Sequence, residues 1–282
     1  MKLPEKIKKI YYCHTPPRYI FDLRERYLEK IPRFLHAFAH MILDRKAEKY
    51  KKLLANMDVI ITNSETVQKR LYDFTGYESE IIYPPTDTDK FKIVNGELWT
   101  TEQEKSEIYH LPFTIKNYFL SFARLSPPKR VDLIVDAFLD MPEKNLVFTY
   151  GKNDPMREDI FAKICNSKNI KAIESPTDDE LIHLIQWATA TIYIPVEEDF
   201  GMSPVESMAC GTPVIGAREG WLLETIIEWE TGLLIEVNKE NLKTAIRKMT
   251  PAYAESLCAK CVERAGEFSL EKFDSKIREK CI

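Results

Sequence analysis

Short continuous apolar runs along this chain alternate with longer stretches in which apolar residues recur three or four positions apart. The runs are rich in β-branched and aromatic residues and read as strands at residues 6–13, 57–62, 117–123, 145–150, 171–174, 190–195 and 212–217, the last two buried, while residues 80–91 read as a strand running into a Pro-Pro turn. Helical periods lie between or after them at residues 24–56 (interrupted near Pro32), 64–74, 131–139, 178–188, 241–249, 252–265 and 269–281. This strand–loop–helix alternation predicts an α/β fold with parallel sheets. Residues 92–116 are polar and irregular, and read as a linker. In the 24–56 stretch, Ile31, Phe34, Leu35, Phe38, Met41 and Ile42 form an apolar stripe that ends in Arg45, Lys46, Lys49, Lys51 and Lys52. The commoner assignment of such a stripe is core with a solvated basic face, and that is the expectation here. The other reading is peripheral contact with an anionic membrane surface.

Candidate chemistry concentrates at residues 194–220, IPVEEDFGMSPVESMACGTPVIGAREG. After the strand at 190–195 come two acids, then Phe200 and Gly201. Ser203 reads as a helix N-cap, with Pro204 at the first helical position and Glu206 three residues after the cap. Gly211 and Pro213 end that helix. In an open α/β sheet, ligands bind at the loops after strand ends. The free amides of Gly201, Met202 and Ser203 offer a site for phosphate or sugar oxygens. Glu198 and Glu206 can both reach one ligand, and carboxylates accept well from paired hydroxyls. Taken singly, Glu206 also fits a capping box and Glu198 a solvated loop.

Arg124 and Lys129 lie five apart across a Pro-stiffened turn after the 117–123 strand. They can bracket a diphosphate, Arg as a fork and Lys as a point charge; two solvated basic residues are the plainer alternative. His14 ends the first strand in a Pro-rich turn, placed to face a cleft or to bond backbone.

Length and composition narrow the class. At 282 residues, with 44% hydrophobic and 30% charged residues, the chain suits two modest domains of an ordinary globular protein. A net charge of −4 argues against a nucleic-acid binder. No apolar run has the length of a membrane span or the pattern of a signal peptide. Six cysteines then read as free thiols in a reducing, cytoplasmic setting. Cys258 and Cys261 have zinc-ligand spacing but no second pair, and Asp87 with Asp89 forms an isolated D-x-D, so no metal is expected.

The run Glu-Asp-Phe-Gly, four residues, then Glu-Ser-Met-Ala-Cys-Gly-Thr-Pro-Val-Ile resembles the E-x7-E signature of retaining glycosyltransferases of family 4, and the likeness continues through Glu224 and residues 231–234. YYCHTPPRY near the N-terminus resembles O-antigen-type mannosyltransferases of that family. The resemblance implies a GT-B fold, two Rossmann-like domains facing a cleft. Residues 1–91 would be an acceptor-side domain, with a hinge at 80–91. Residues 92–116 would be the linker, 117–268 the nucleotide-sugar (donor) domain and 269–282 a helix crossing back. It implies His14 and Glu198 beside the transferred sugar as catalytic candidates. The implied donor-binding set is Arg124, Lys129, Phe200, Gly201, Met202, Ser203 and Glu206, with Glu206 on the ribose and no metal or cofactor. GDP-mannose is the favoured donor and a UDP-sugar the alternative; the acceptor would be a glycan or a lipid-linked one. Two loops depart from the family pattern. Glu219-Gly220 stands where a Gly pair is usual, and Ala123 and Arg130 replace the glycines flanking G-R-L-x3-K-G. By the resemblance, the N-terminal domain lacks the family's first strands and Gly-rich loop, so the expectation is either a fragment or a second polypeptide or homo-oligomer completing it. A non-catalytic nucleotide-sugar-binding subunit is the alternative function. Location on the inner face of the membrane is the alternative to a purely cytoplasmic one.

Overall fold

The computed structural model describes residues 7–29, 31–91 and 117–281, so the linker expected at 92–116 lies outside them. The chain divides into two compact units, Met1–Pro84 with Glu271–Ile282, and Pro85–Leu270.

The first unit holds a three-stranded parallel sheet in the order β1 (Ile10–Cys13), β2 (Val59–Thr62), β3 (Glu80–Ile81). The strand expected to run into the Pro84-Pro85 turn pairs at Glu80 and Ile81, and the prolines that follow cannot donate to a ladder. The helices are α1 (Arg24–Leu28), α2 (His36–Leu54) and α3 (Glu65–Thr75). Pro32 and a 3-10 turn at Arg33–Leu35 separate the first two. The start of α3 is capped by Ser64, whose Oγ accepts from the Val67 amide at 3.1 Å, and Gly76 at φ +77° ends it. Cys13, Leu54, Val67 and Leu71 form the core, with Tyr11 and Tyr50 against them. The C-terminal helix, Leu270–Cys281, groups with this unit: Phe273 meets Tyr12 edge-on at 6.0 Å, and Lys280 pairs with Glu80.

The stripe on α2 corrects the expectation of a core face. Ala47, Tyr50 and Leu54 turn inward, whereas Phe34 is 82% and Phe38 58% exposed, with Leu35, Met41 and Ile42 exposed beside them. Periodicity fixes which residues share a face, not whether a neighbour covers it.

The second unit alternates strand and helix: β4 (Tyr118–Ser121), α4 (Val131–Leu139), β5 (Asn145–Tyr150), α5 (Arg157–Ile164), β6 (Ile170–Glu174), α6 (Asp178–Gln186), β7 (Ala190–Tyr193), α7 (Ser203–Ala209), β8 (Val214–Ala217), α8 (Leu222–Thr225), β9 (Gly232–Ile235), α9 (Lys239–Lys248) and α10 (Pro251–Gly266). Every strand pair is parallel, in the order β6-β5-β4-β7-β8-β9. The residues of β4, β7, β8 and β9 are all buried, as continuous apolar runs covered on both faces should be. The order is that of the Rossmann fold, whose direction reverses between the first strand, here β4, and the fourth, here β7. The loops leaving these two strands therefore flank the crevice where such sheets bind ligands.

Candidate functional site

The loop after β4 carries Lys129 on a short 3-10 turn, Pro127–Lys129, and the loop after β7 carries Glu198. The two meet. Lys129 Nζ donates to Glu198 Oε2 at 2.5 Å and to Tyr193 Oη at 2.8 Å, and lies 5.1 Å over the Tyr193 ring. Both charged side chains are about a quarter exposed, 23% and 22%, so solvent screens the pair only partly. Burial, then the Glu198 charge, pushes the Tyr193 phenol well above its ordinary range, so it stays protonated.

Two glycines make this contact sterically possible. A Cβ on Gly201 would stand 2.6 Å from Tyr193 Oη and displace the ring from Lys129. Gly220, at φ +62°, allows the loop after β8 to pass so close that a Cβ would stand 2.7 Å from the Glu198 carbonyl oxygen. The Trp221 amide donates to that same carbonyl at 3.2 Å.

The start of α7 differs from the capping box expected of Ser203 and Glu206. Ser203 is the first helical residue, Met202 occupies the cap position, and no side chain caps the end. The Met202 carbonyl instead accepts from the Val205 and Glu206 amides at 2.8 and 3.0 Å. The Glu206 carboxyl has no capping duty, and burial raises its pKa above the ordinary carboxylate value, with Lys90 lowering and Asp178 raising it. Lys90 itself donates to Asp178 at 2.6 Å. Burial, with Glu206 adding to it, likewise raises the Cys210 thiol.

The remaining sequence candidates take separate places. Arg124 is 69% exposed and turns to Asp154 at 3.3 Å, outside the Lys129–Glu198 contact. Asp154 is otherwise held by the Leu125 and Gly151 amides, each at 3.0 Å. Phe200 packs against buried Trp221 with centroids 3.8 Å apart and the rings tilted by 30°. Met202 is half exposed. His14 belongs to the other unit, exposed at the end of β1, with its ring 5.0 Å from that of Tyr12. Tyr193, Arg130, Glu219 and Trp221 belong to the site's immediate framework; Arg130 and Glu219 were read from the sequence only as departures from the family pattern, and Tyr193 and Trp221 were not singled out. A Tyr at the end of a cleft-facing strand, and a charged residue at each departure from the Gly pattern, were the available signals. Among the described residues, no group of three His, Cys, Asp or Glu side chains is arranged to hold a metal.

Residues 102–267, more than half of the chain, match the family described as glycosyl transferases group 1. Among curated proteins, the chain is 24% identical over 276 residues to the alpha-1,3/1,6-mannosyltransferase ALG2 of Dictyostelium discoideum, covering 88% of this chain and 63% of that protein. It is 29% identical over 234 residues to an uncharacterized glycosyltransferase of Methanocaldococcus jannaschii, covering 83% of this chain and 59% of the other. The chain thus spans about three fifths of the length of these relatives. Among solved structures, sucrose-phosphate synthase from Thermosynechococcus elongatus superposes with a TM-score of 0.73 at 20% identity, over 96% of this chain and 66% of that one. HepE of Anabaena, in complex with UDP and glucose, gives 0.72 at 18%, over 96% and 70%. These likenesses show a GT-B fold built of Rossmann-like units. With the family match covering every element from β4 to α10, the chain belongs to the glycosyl transferases group 1 family.

Proposed function

We propose that this chain supplies the donor site of a retaining hexosyltransferase, family 4 in type, that moves mannose from GDP-mannose to a hydroxyl of a glycan or lipid-linked acceptor. The observation that carries the reading is the contact of Lys129 with Glu198 across the β4–β7 switch point. Lys129, with Arg124 swung from Asp154, would hold the diphosphate and neutralise the charge that develops on it as its bond to the anomeric carbon breaks. Glu206 would accept from the ribose hydroxyls. Glu198 and the amides of Gly201, Met202 and Ser203 would orient the sugar, with Phe200 packed behind them. The acceptor oxygen bonds to the anomeric carbon as that carbon's bond to the diphosphate oxygen breaks, the hydroxyl proton passes to that departing oxygen, and the nucleoside diphosphate leaves. The reading includes no metal, since Lys129 and Arg124 would meet the charge of the diphosphate. Mannose is favoured by the mannosyltransferase ALG2 relative and by a serotype-specific mannosyltransferase, WbdA, of Escherichia coli, 21% identical over 284 residues, 93% of this chain and 32% of that one. The UDP in the HepE complex makes a uridine donor the alternative. Calorimetry with GDP, UDP and ADP tests the reading: one nucleotide is expected to bind with micromolar Kd, about −8 kcal/mol. Equal, unmeasurable binding of all three to the folded protein would sink it.

A second surface bears on the partner. The exposed Phe34, Phe38, Met41 and Ile42 run into Arg45, Lys49 and Lys52, and no carboxylate among the described residues pairs with these three cations. Apolar residues followed by unneutralised positive charge on one helix complement an anionic lipid surface, and we assign α2 to that occupant. No helix among the described residues is long and apolar enough to cross a membrane, so the contact would be peripheral. The protein should sediment with vesicles containing a third anionic lipid, release with salt, and lose binding about tenfold or more in Phe34→Ser/Phe38→Ser. Failure to distinguish anionic from neutral vesicles, or a dimer abolished by the same substitutions, would reassign the face.

A further inference from the structure

Arg130 and Glu219, the two charged residues at departures from the family's Gly-rich loops, meet each other. Arg130 Nη1 donates to Glu219 Oε1 at 2.5 Å and approaches the carbonyl oxygens of Ile194 and Pro195 at 3.4 Å each. The second carboxylate oxygen of Glu219 accepts from the Glu197 amide at 3.4 Å. One guanidinium and one carboxylate therefore join three loops: residues 127–130 after β4, 194–198 after β7 and 218–220 after β8. Two of these loops carry Lys129 and Glu198. Beside the ion pair, the Val196 amide donates to the Pro128 carbonyl at 2.8 Å, tying the same two loops by backbone.

The backbone gives a second, independent reason to assign a role to Arg130. Its φ is +53°, and Glu197, inside the clamped loop, stands at +41°. In that region a Cβ crowds the following carbonyl, so glycine is the residue that local energetics favours. The arginine is held there by interactions of its side chain, which is only 25% exposed. Backbone strain retained next to a binding site is an observation from which a role can be inferred.

We propose that Arg130 and Glu219 are positioning residues of the donor site. Their ion pair clamps the 194–198 loop so that Glu198 is presented to the sugar while Lys129 remains turned to the diphosphate. The inference rests on the donor-site reading above. Neither residue needs to touch the donor. Lys129 keeps its place through the Pro-stiffened turn, whereas the Glu198 loop, which includes a left-handed Glu197, depends on the clamp.

The test is a set of calorimetric titrations with nucleoside diphosphate and with the matching nucleotide-sugar. The proteins are wild type, Arg130→Gly, Glu219→Gln and the double variant, each with a thermal melt. Glycine suits φ +53°, so Arg130→Gly should melt at or above the wild-type temperature. Its affinity for the nucleoside diphosphate should stay within about twofold, while that for the nucleotide-sugar falls about tenfold. Glu219→Gln should show a smaller loss of the same kind, and the double variant should be no worse than Arg130→Gly, as expected of two residues acting through one contact. Wild-type affinity for the nucleotide-sugar in Arg130→Gly would overturn the proposal. So would an equal loss for both ligands, which would mean direct phosphate binding by Arg130. If Arg130→Gly does not fold, Glu219→Gln, which keeps the shape and removes the charge, carries the same comparison. A wild type that binds neither ligand overturns the donor-site reading itself, an outcome distinct from a wild type that binds and a variant that binds equally well.

Discussion

Lys129→Ala is expected to weaken nucleoside diphosphate binding about 100-fold, near 2.7 kcal/mol. Removing a charge-assisted hydrogen bond accounts for roughly 1.5–3 kcal/mol of this. A second contribution comes from Glu198: without the ammonium 2.5 Å away, its carboxylate faces the incoming phosphates as a like charge. Tyr193 cannot replace the lost cation: burial keeps its phenol protonated, and a neutral O–H brings a donor but no positive charge. Arg124→Ala should cost less, about tenfold, because a side chain 69% exposed binds phosphate against solvent screening. Titration calorimetry at two salt concentrations measures both, and the Arg124 contribution should shrink more with salt. Losses of less than about twofold for both variants would remove the diphosphate from this loop.

The two glutamates should respond in opposite directions when their charge is removed. Glu206→Gln is expected to lower donor affinity about tenfold or more, about 1.4 kcal/mol per decade, since the amide is a weaker acceptor and presents an NH2 to the ribose hydroxyls. Its ligand-free melting temperature should rise at neutral pH, because burial already disfavours the Glu206 charge. The sign follows from linkage. A carboxyl whose folded pKa lies above its unfolded value binds protons more readily when folded. It therefore costs stability as pH rises from the ordinary carboxylate range through the raised value. The melting difference between variant and wild type should open over that window and close below it. Ribose hydroxyls donate to the carboxylate, so wild-type nucleotide affinity should rise over the same window while that of Glu206→Gln stays flat.

Glu198→Gln should act otherwise. Lys129 is released from its ion pair, so free nucleoside diphosphate should bind severalfold more tightly, about 0.5–1 kcal/mol, the scale of a partly exposed pair. The nucleotide-sugar should bind more weakly, because the contact of Glu198 with the sugar outweighs that gain, and turnover of the active assembly should fall. Parallel titrations and melts across pH decide the matter. If both variants bind both ligands like wild type, the carboxylates are structural.

Much of this was legible along the chain. The strand at Asn145–Tyr150 and the helix at Val131–Leu139 form where the apolar pattern puts them, because continuous burial and a one-sided stripe leave different periods in the sequence. The helix Arg157–Ile164 was not read, because its REDIFAKI buries only Ile160 and leaves almost no apolar stripe. The α7 terminus shifted by one residue. Pro fits either of the first helical positions, and the Met202 carbonyl, not a Ser203 side chain, anchors the turn.

By itself, then, the sequence determined a parallel α/β chain and a set of charges, Arg124, Lys129, Glu198 and Glu206, placed just beyond strand ends. Only the tertiary structure decided which of them touch. Lys129 and Glu198 are 69 positions apart, and they meet because β4 and β7 are neighbours in the sheet, a pairing that no local period encodes. The same holds for Arg130 with Glu219, 89 positions apart on loops after β4 and β8. It holds for α2 as well, where spacing set the apolar stripe and the packing of the first unit left it uncovered. Local sequence fixes the direction in which a side chain leaves the backbone, whereas the order of strands fixes what it finds there.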